Sequence, residues 1–301
     1  MLYFLQQLLN GVHSAAIYAL LAFGYALGNG LLRRTNLAYG GIFAFCGQTM
    51  ILAAVYGWQV LWLTLPATIA FGTLVAIAYA GFVTRLLSRA VLAPLANRSP
   101  NAIVAATLGL LIVLMEVSRI AADTHDYWLP PMLATPVVFA AQGGFLATLT
   151  VIQLVNTAIA ATIVTGGAIH LARSRFGRHW RAVSDDPLAA ELCGIHTGRI
   201  FHRALLYGGF CAGAAGILAA LYYGNIGFGA GLVYGLKILF ITAVGGYYAP
   251  GKAALGAAAF GMVEALWAGY FPIEWRDAWM YGLLAAMLVL AGDRRDAPGT
   301  V

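Results

Sequence analysis

Charged residues divide this chain into long apolar runs. Met1–Leu32, Thr35–Thr84, Tyr127–Ala172 and Ala204–Leu236 contain no Asp, Glu, Lys or Arg. Each is long enough for a spanning helix of about 20 residues, and the run from Thr35 must fold back on itself. Lipid offers no water to stray backbone groups, and the runs lack the alternation of an outer-membrane strand, so the spans are expected to be helical. Apolar length, breaks and charges place segments at roughly 8–28, 37–55, 60–83, 101–121, 147–171, 201–222, 231–247, 254–271 and 277–291. The expected fold class is therefore all-α, a polytopic transmembrane helix bundle. The second segment is short and begins NLAYGG, which points to a broken or re-entrant helix and makes the count eight or nine.

Composition agrees with the pattern. Hydrophobic residues make up 61% of the 301 and charged residues only 9%, which excludes a soluble globular protein. Many of the 36 glycines fall inside the apolar runs, as helices that approach closely require. The start, MLYFLQQLLNG, has no basic region ahead of its apolar stretch and reads as retained rather than cleaved. Cys46, Cys193 and Cys211 are too far apart to suggest a metal site or a disulfide framework and read as packing residues.

The net charge of +6 invites a nucleic-acid reading, but the basic residues fall between apolar segments and orient the protein instead. Six of the 17 Lys and Arg residues lie in one polar island, Arg173 to Arg203. Threading the segments alternately with that island inside also puts Arg33, Arg34, Arg85, Arg89, Arg98, Lys252, Arg294 and Arg295 inside, and with them a cytoplasmic C-terminus. The largest outside loop, 122–144, carries Tyr127 and Trp128 for the headgroup level and Pro130, Pro131 and Pro136, which exclude a continuous helix. It either caps the bundle, the favoured reading, or receives a soluble partner.

Within the island, Asp186 can cap a helix whose first position is Pro187, and Gly194 can close it in the left-handed conformation. The predicted helix, 187–193, has two turns, with Leu188 and Leu192 on one face and Glu191 beside them. It is too short to stand alone in water and must rest on something. A membrane-surface turn near anionic lipid and a docking element for another protein are equal readings at this level.

The island string RSRFGRHWRAVSDDPLAAELCGIHTGRI resembles the cytoplasmic segment of permeases of the branched-chain amino acid ABC transporter family, in which a basic lead-in runs into R-A-x-x-x-D-P-x-x-A-x-x-x-G-I. The resemblance extends in order along most of the chain, through NGVHSAAIYALLAFGYALGNG, NLAYGGIFAFCGQ, VLAPLANRSPNAIVAATLGLLIVL, GLKILFITAVGG and GMVEAL. It implies one permease domain over 1–301 in a bacterial inner membrane, with a coupling segment at 173–203. The implied partners are a second homologous permease, two cytoplasmic ATPases and an external solute-binding protein, besides membrane lipid and a small-molecule solute. Arg181, Asp185, Asp186, Pro187, Leu188, Glu191, Leu192 and Gly194 would then form the ATPase-coupling element, and ATP would be hydrolysed in the partner. No catalytic residue, metal or cofactor is expected on this chain.

The resemblance also places the NLAYGG stretch near the solute path, with Asn36, Tyr39, Gly40, Gly41 and Gln48 as candidate lining residues. Tyr39 and Gly41 stand where the family often has His and Glu. The competing reading is that these residues serve close helix packing. Independently of any family, Lys237 and Glu264 fall at similar depths on adjacent antiparallel segments, which predicts an interior ion pair, structural in role. GYYAPGKA at 246–253 has the spacing of a phosphate loop but lacks its final Ser or Thr and joins two membrane segments, so it reads as a turn. Asn97-Arg98-Ser99 fits a glycosylation acceptor on the wrong side of the membrane. An ion-coupled secondary transporter, working without an ATPase, is the alternative function.

Overall fold

The computed structural model describes residues 2–95, 100–142 and 145–292. Arg98 with its acceptor triplet, the loop tip at 143–144, Arg294, Arg295 and the C-terminal tail lie outside the described residues. The helices are α1 (Leu2–Leu32), α2 (Ala38–Gln59), α3 (Leu65–Leu95), α4 (Pro100–Ala121), α5 (Val151–Arg173), α6 (Arg175–Asp185), α7 (Pro187–Leu192), α8 (Thr197–Tyr223), α9 (Ala230–Gly245), α10 (Pro250–Tyr270) and α11 (Arg276–Gly292). Seven of them are long and apolar enough to cross a membrane, and α9 is a shorter apolar helix. This is a polytopic helical bundle. α1, α2 and α8 are largely buried within it, while α3, α4, α5 and α10 present more of their surface outward.

Glycine explains how three long helices share the centre. Gly24 of α1 lies against the α8 backbone at Gly208, and Gly47 of α2 against α8 at Gly216, so the backbones approach closely. α10 runs antiparallel to α1, and Gly11 and Gly261 let the two meet along their length. One end of the bundle gathers Arg33, Arg34, Arg85, Arg89 and the island arginines around α6 and α7. We call it the basic end.

Three expectations need correction. The second segment is neither broken nor re-entrant: α2 is one continuous helix, because Gly40 and Gly41 are packed against neighbours instead of opening the backbone. The 122–144 loop is not wholly irregular, since β1 (Pro136–Gln142) pairs antiparallel with β2 (Phe145–Thr150), with a register shift between Val138 and Ala140. Residues 147–150, expected to be helical, are therefore strand. The helix begins only at Val151, where Gln153 Oε1 accepts from the Thr150 N–H at 2.9 Å. The hairpin is pinned to α1 by Gln6, which bonds both the N–H and the carbonyl of Thr148 (2.7 and 2.9 Å). Third, the segment placed at 60–83 begins later and runs on to Leu95 through a π-helical turn at Leu87–Leu92.

Candidate functional site

The basic end is built around α6, a helix that the island's charge concealed. Ser174 caps it by accepting from the Gly177 N–H at 3.1 Å, and Trp180, Val183 and Ser184 turn inward. Gly177 has no alternative, since any β-carbon there would run into the Leu171 carbonyl. Phe176, Trp180 and Val183, spaced four and three apart, are the signal from which the helix was readable. Trp180 Nε1 donates to the Leu27 carbonyl and Ser184 Oγ to the Gly30 carbonyl, both at 3.0 Å. These are carbonyls of the last turns of α1. Arg33 reaches back the other way, its guanidinium donating to the Ser184 carbonyl and, at 3.0 Å, to that of Asp185. The end of α1 and the end of α6 thus cap each other.

α7 follows directly. Asp186 Oδ1 accepts from the Leu188 and Ala189 N–H groups at 2.9 and 3.1 Å, Pro187 occupies the first helical position, and Gly194 stands at φ +80°. The helix ends at Leu192, with Cys193 as its C-cap, one residue before the expected boundary. Ala190 is buried beneath it, whereas Leu188 and Leu192 are 69% and 83% exposed. An apolar pair thus faces away from its own bundle. Glu191 Oε1 accepts from the Thr197 hydroxyl, tying α7 to the start of α8. Arg181 donates to the Leu171 carbonyl at 3.1 Å and fixes α6 to α5.

The five candidate path residues do not converge. Gly40 presses on the backbone of α9 at Gly231 and Gly235, and Gly41 lies against Leu111 and Leu114 of α4. Gln48 donates to the Ile226 carbonyl at 2.9 Å, at the end of the bundle opposite α7. Only Asn36 and Tyr39 share a cavity, enclosed by α1, α2, α3 and α8. Tyr39 donates its hydroxyl to the Leu21 carbonyl (2.9 Å), and Tyr25 accepts from the Asn36 N–H (3.3 Å). Asn29 and Thr84 complete that cavity. As single polar residues within apolar helices, they gave no sequence signal.

Lys237 of α9 and Glu264 of α10 are both buried and meet at 2.8 Å, with the Tyr18 hydroxyl accepting a second bond from Lys237 Nζ at 2.8 Å. Arg276 Nε stands 3.9 Å from the same Glu264 oxygen. Glu116 and Arg119 form an exposed pair one turn apart on α4. Of the 246–253 segment, residues 246–249 are the turn from α9 into α10, with Gly246 at φ +107°, and residues 250–253 are the first turn of α10. Among the described residues, no group of three or more His, Cys, Asp or Glu is placed to hold a metal.

A bundle of apolar helices packed through glycine, with a polar platform at one end, defines a multi-pass membrane protein. Sequence comparison makes this specific: the chain belongs to the family described as the branched-chain amino acid transport system permease component, whose model matches residues 7–292. It is similar to the high-affinity branched-chain amino acid transport system permease proteins LivH of Salmonella typhimurium and of Escherichia coli K12. Each is 29% identical over 293 residues, covering 96% of this chain and 94% of the relative. BraD of Pseudomonas aeruginosa, described in the same words, is 27% identical over 95% of this chain and 94% of its own length. No solved structure matches the chain.

Proposed function

We propose that this chain is the transmembrane permease subunit of an ATP-driven importer of branched-chain amino acids or related small polar solutes, in a bacterial inner membrane. The family match along residues 7–292 carries this reading. A second homologous permease, two cytoplasmic ATPases and an external solute-binding protein complete the assembly, and this chain itself binds no cofactor. The geometry supports a specific division of labour. α7 offers Leu188 and Leu192 to an ATPase groove, while the capped junction of α6 with α1 gives the load a stiff connection to the bundle centre. Closure of the ATPases would then displace the end of α1 against α2 and α8, a shear between packed helices.

The exposed apolar pair on α7 supports this reading over an ion-coupled secondary carrier, which needs no ATPase dock. Replacing Leu188 and Leu192 with Asp is expected to leave the permease folded, since both side chains already lie outside the core. Co-purification of the ATPases and solute-stimulated ATP turnover should both be lost. Unchanged association and turnover would overturn the assignment. Reconstitution with the solute-binding protein, and binding of candidate solutes to it, identifies what is carried.

A further inference from the structure

Asn29, Asn36 and Thr84 come from α1, the α1–α2 turn and α3, yet all three line one cavity of about 20 Å³, room for a single water-sized group. Asn29 Oδ1, Asn36 Oδ1 and Thr84 Oγ1 are each buried and without a hydrogen-bond partner among the described residues. Native interiors hold few such atoms, and three around one cavity call for an explanation. The neighbouring hydroxyls do not supply it: Tyr39 donates its proton to the Leu21 carbonyl, and Tyr25, which accepts from the Asn36 N–H, donates to none of the three. Each of the three atoms is an oxygen able to accept. The group that satisfies all three is a compact donor with several N–H bonds; a carboxylate could accept from the Thr84 hydroxyl but would leave both amide oxygens unmatched.

We infer that this cavity is the contracted form of a solute subsite that takes the ammonium group of a passing amino acid. The inference rests on the permease reading. An ammonium head has three donors for the three oxygens and is about the size of a water molecule, so it fits the space that the closed structure leaves. The rest of the solute needs a wider seam. The wall between α1 and α8 is the one that would have to part, since Gly24 and Gly208 meet there in close backbone contact. The α1 side of that wall continues into the turns held by Trp180 and Ser184, so displacement of α7 reaches the subsite through two hydrogen bonds.

The test uses the complete importer in proteoliposomes, with tritiated leucine as probe. Thr84→Val, Asn29→Leu and Asn36→Leu should each lower leucine uptake per ATP hydrolysed about tenfold, the loss expected for one good hydrogen bond to a charged group. Thr84→Ser and Asn36→Asp, which keep the acceptor, should restore it. A purely structural role would instead lower thermal stability and ATPase association together with uptake. In a Cys193→Ser, Cys211→Ala background, Thr84→Cys should react faster during turnover with a cationic methanethiosulfonate than with an anionic one. Uptake per ATP at the wild-type level in all three apolar variants, or equal reaction with both reagents, overturns the subsite. A wild-type complex that recruits no ATPase and moves no leucine overturns the permease reading instead.

Discussion

The bundle holds two buried polar clusters that solve the same problem differently. Near the middle of α9 and α10, Lys237 and Glu264 neutralise each other, and Tyr18 takes a second proton of the ammonium, leaving only Glu264 Oε2 without a partner among the described residues. Toward the basic end, Asn29, Asn36 and Thr84 are neutral and leave three oxygens unmatched among the described residues. Energetics accounts for the contrast. A bare charge in a low-dielectric interior costs several kcal/mol, so the charged cluster must be closed in every state, whereas an unmatched amide or hydroxyl costs about 1–3 kcal/mol and can be tolerated where a ligand will later supply the bond. The first cluster is built to hold helices together and the second to remain available.

Removing one member of the charged pair is the harshest test of that contrast. Glu264→Leu strands Lys237 in the bundle and should destabilise the protein by about 3–5 kcal/mol, read as a large fall in unfolding temperature in detergent. Lys237→Met combined with Glu264→Leu should recover most of the loss, since the charge that remains beside the site, on Arg276, is partly exposed. If the double variant is as unstable as the single one, the pair contributes through shape and not charge. Thr84→Val should move stability the other way. It deletes an unmatched hydroxyl at nearly constant volume and should stabilise by about 1 kcal/mol while lowering transport. A destabilised Thr84→Val protein would mean that its hydroxyl already has a use in the resting fold.

These regions were not equally readable in the sequence. α7 was readable because Asp186, Pro187 and Gly194 dictate its ends locally, with no help from the rest of the chain. The Lys237–Glu264 depth match needed only the lengths of two adjacent antiparallel helices. The hairpin was overlooked although PVVFAAQGGFLATLT carries its signal, two runs with β-branched or aromatic residues around a Gly-Gly pair, because its first run was assigned to the outside loop and residues 147–150 were joined to the apolar helix that follows. α6 was hidden for the opposite reason, its arginines outweighing a three-residue apolar face. The Asn29–Asn36–Thr84 cluster had no local signature at all. It exists only because tertiary packing brings three distant positions to one cavity, just as Gln48 finds its partner at Ile226 across most of the chain.

The smallest expected effect lies outside both buried clusters, at an exposed polar group whose bonds are already made. Asp186 holds the first turn of α7 through two N–H groups, and Asp186→Ala should cost about 1 kcal/mol of local helix stability. Because α7 lies at the surface, that cost should appear as faster hydrogen exchange at Leu188 and Ala189 with an unchanged global unfolding temperature. ATPase association should weaken in step, since an ordered Leu188–Leu192 face is what the groove would bind. If global unfolding shifted as well, α7 would belong to the cooperative core, and the boundary between the part that receives force and the part that transmits it would have to move from the α6–α1 junction out to α7 itself.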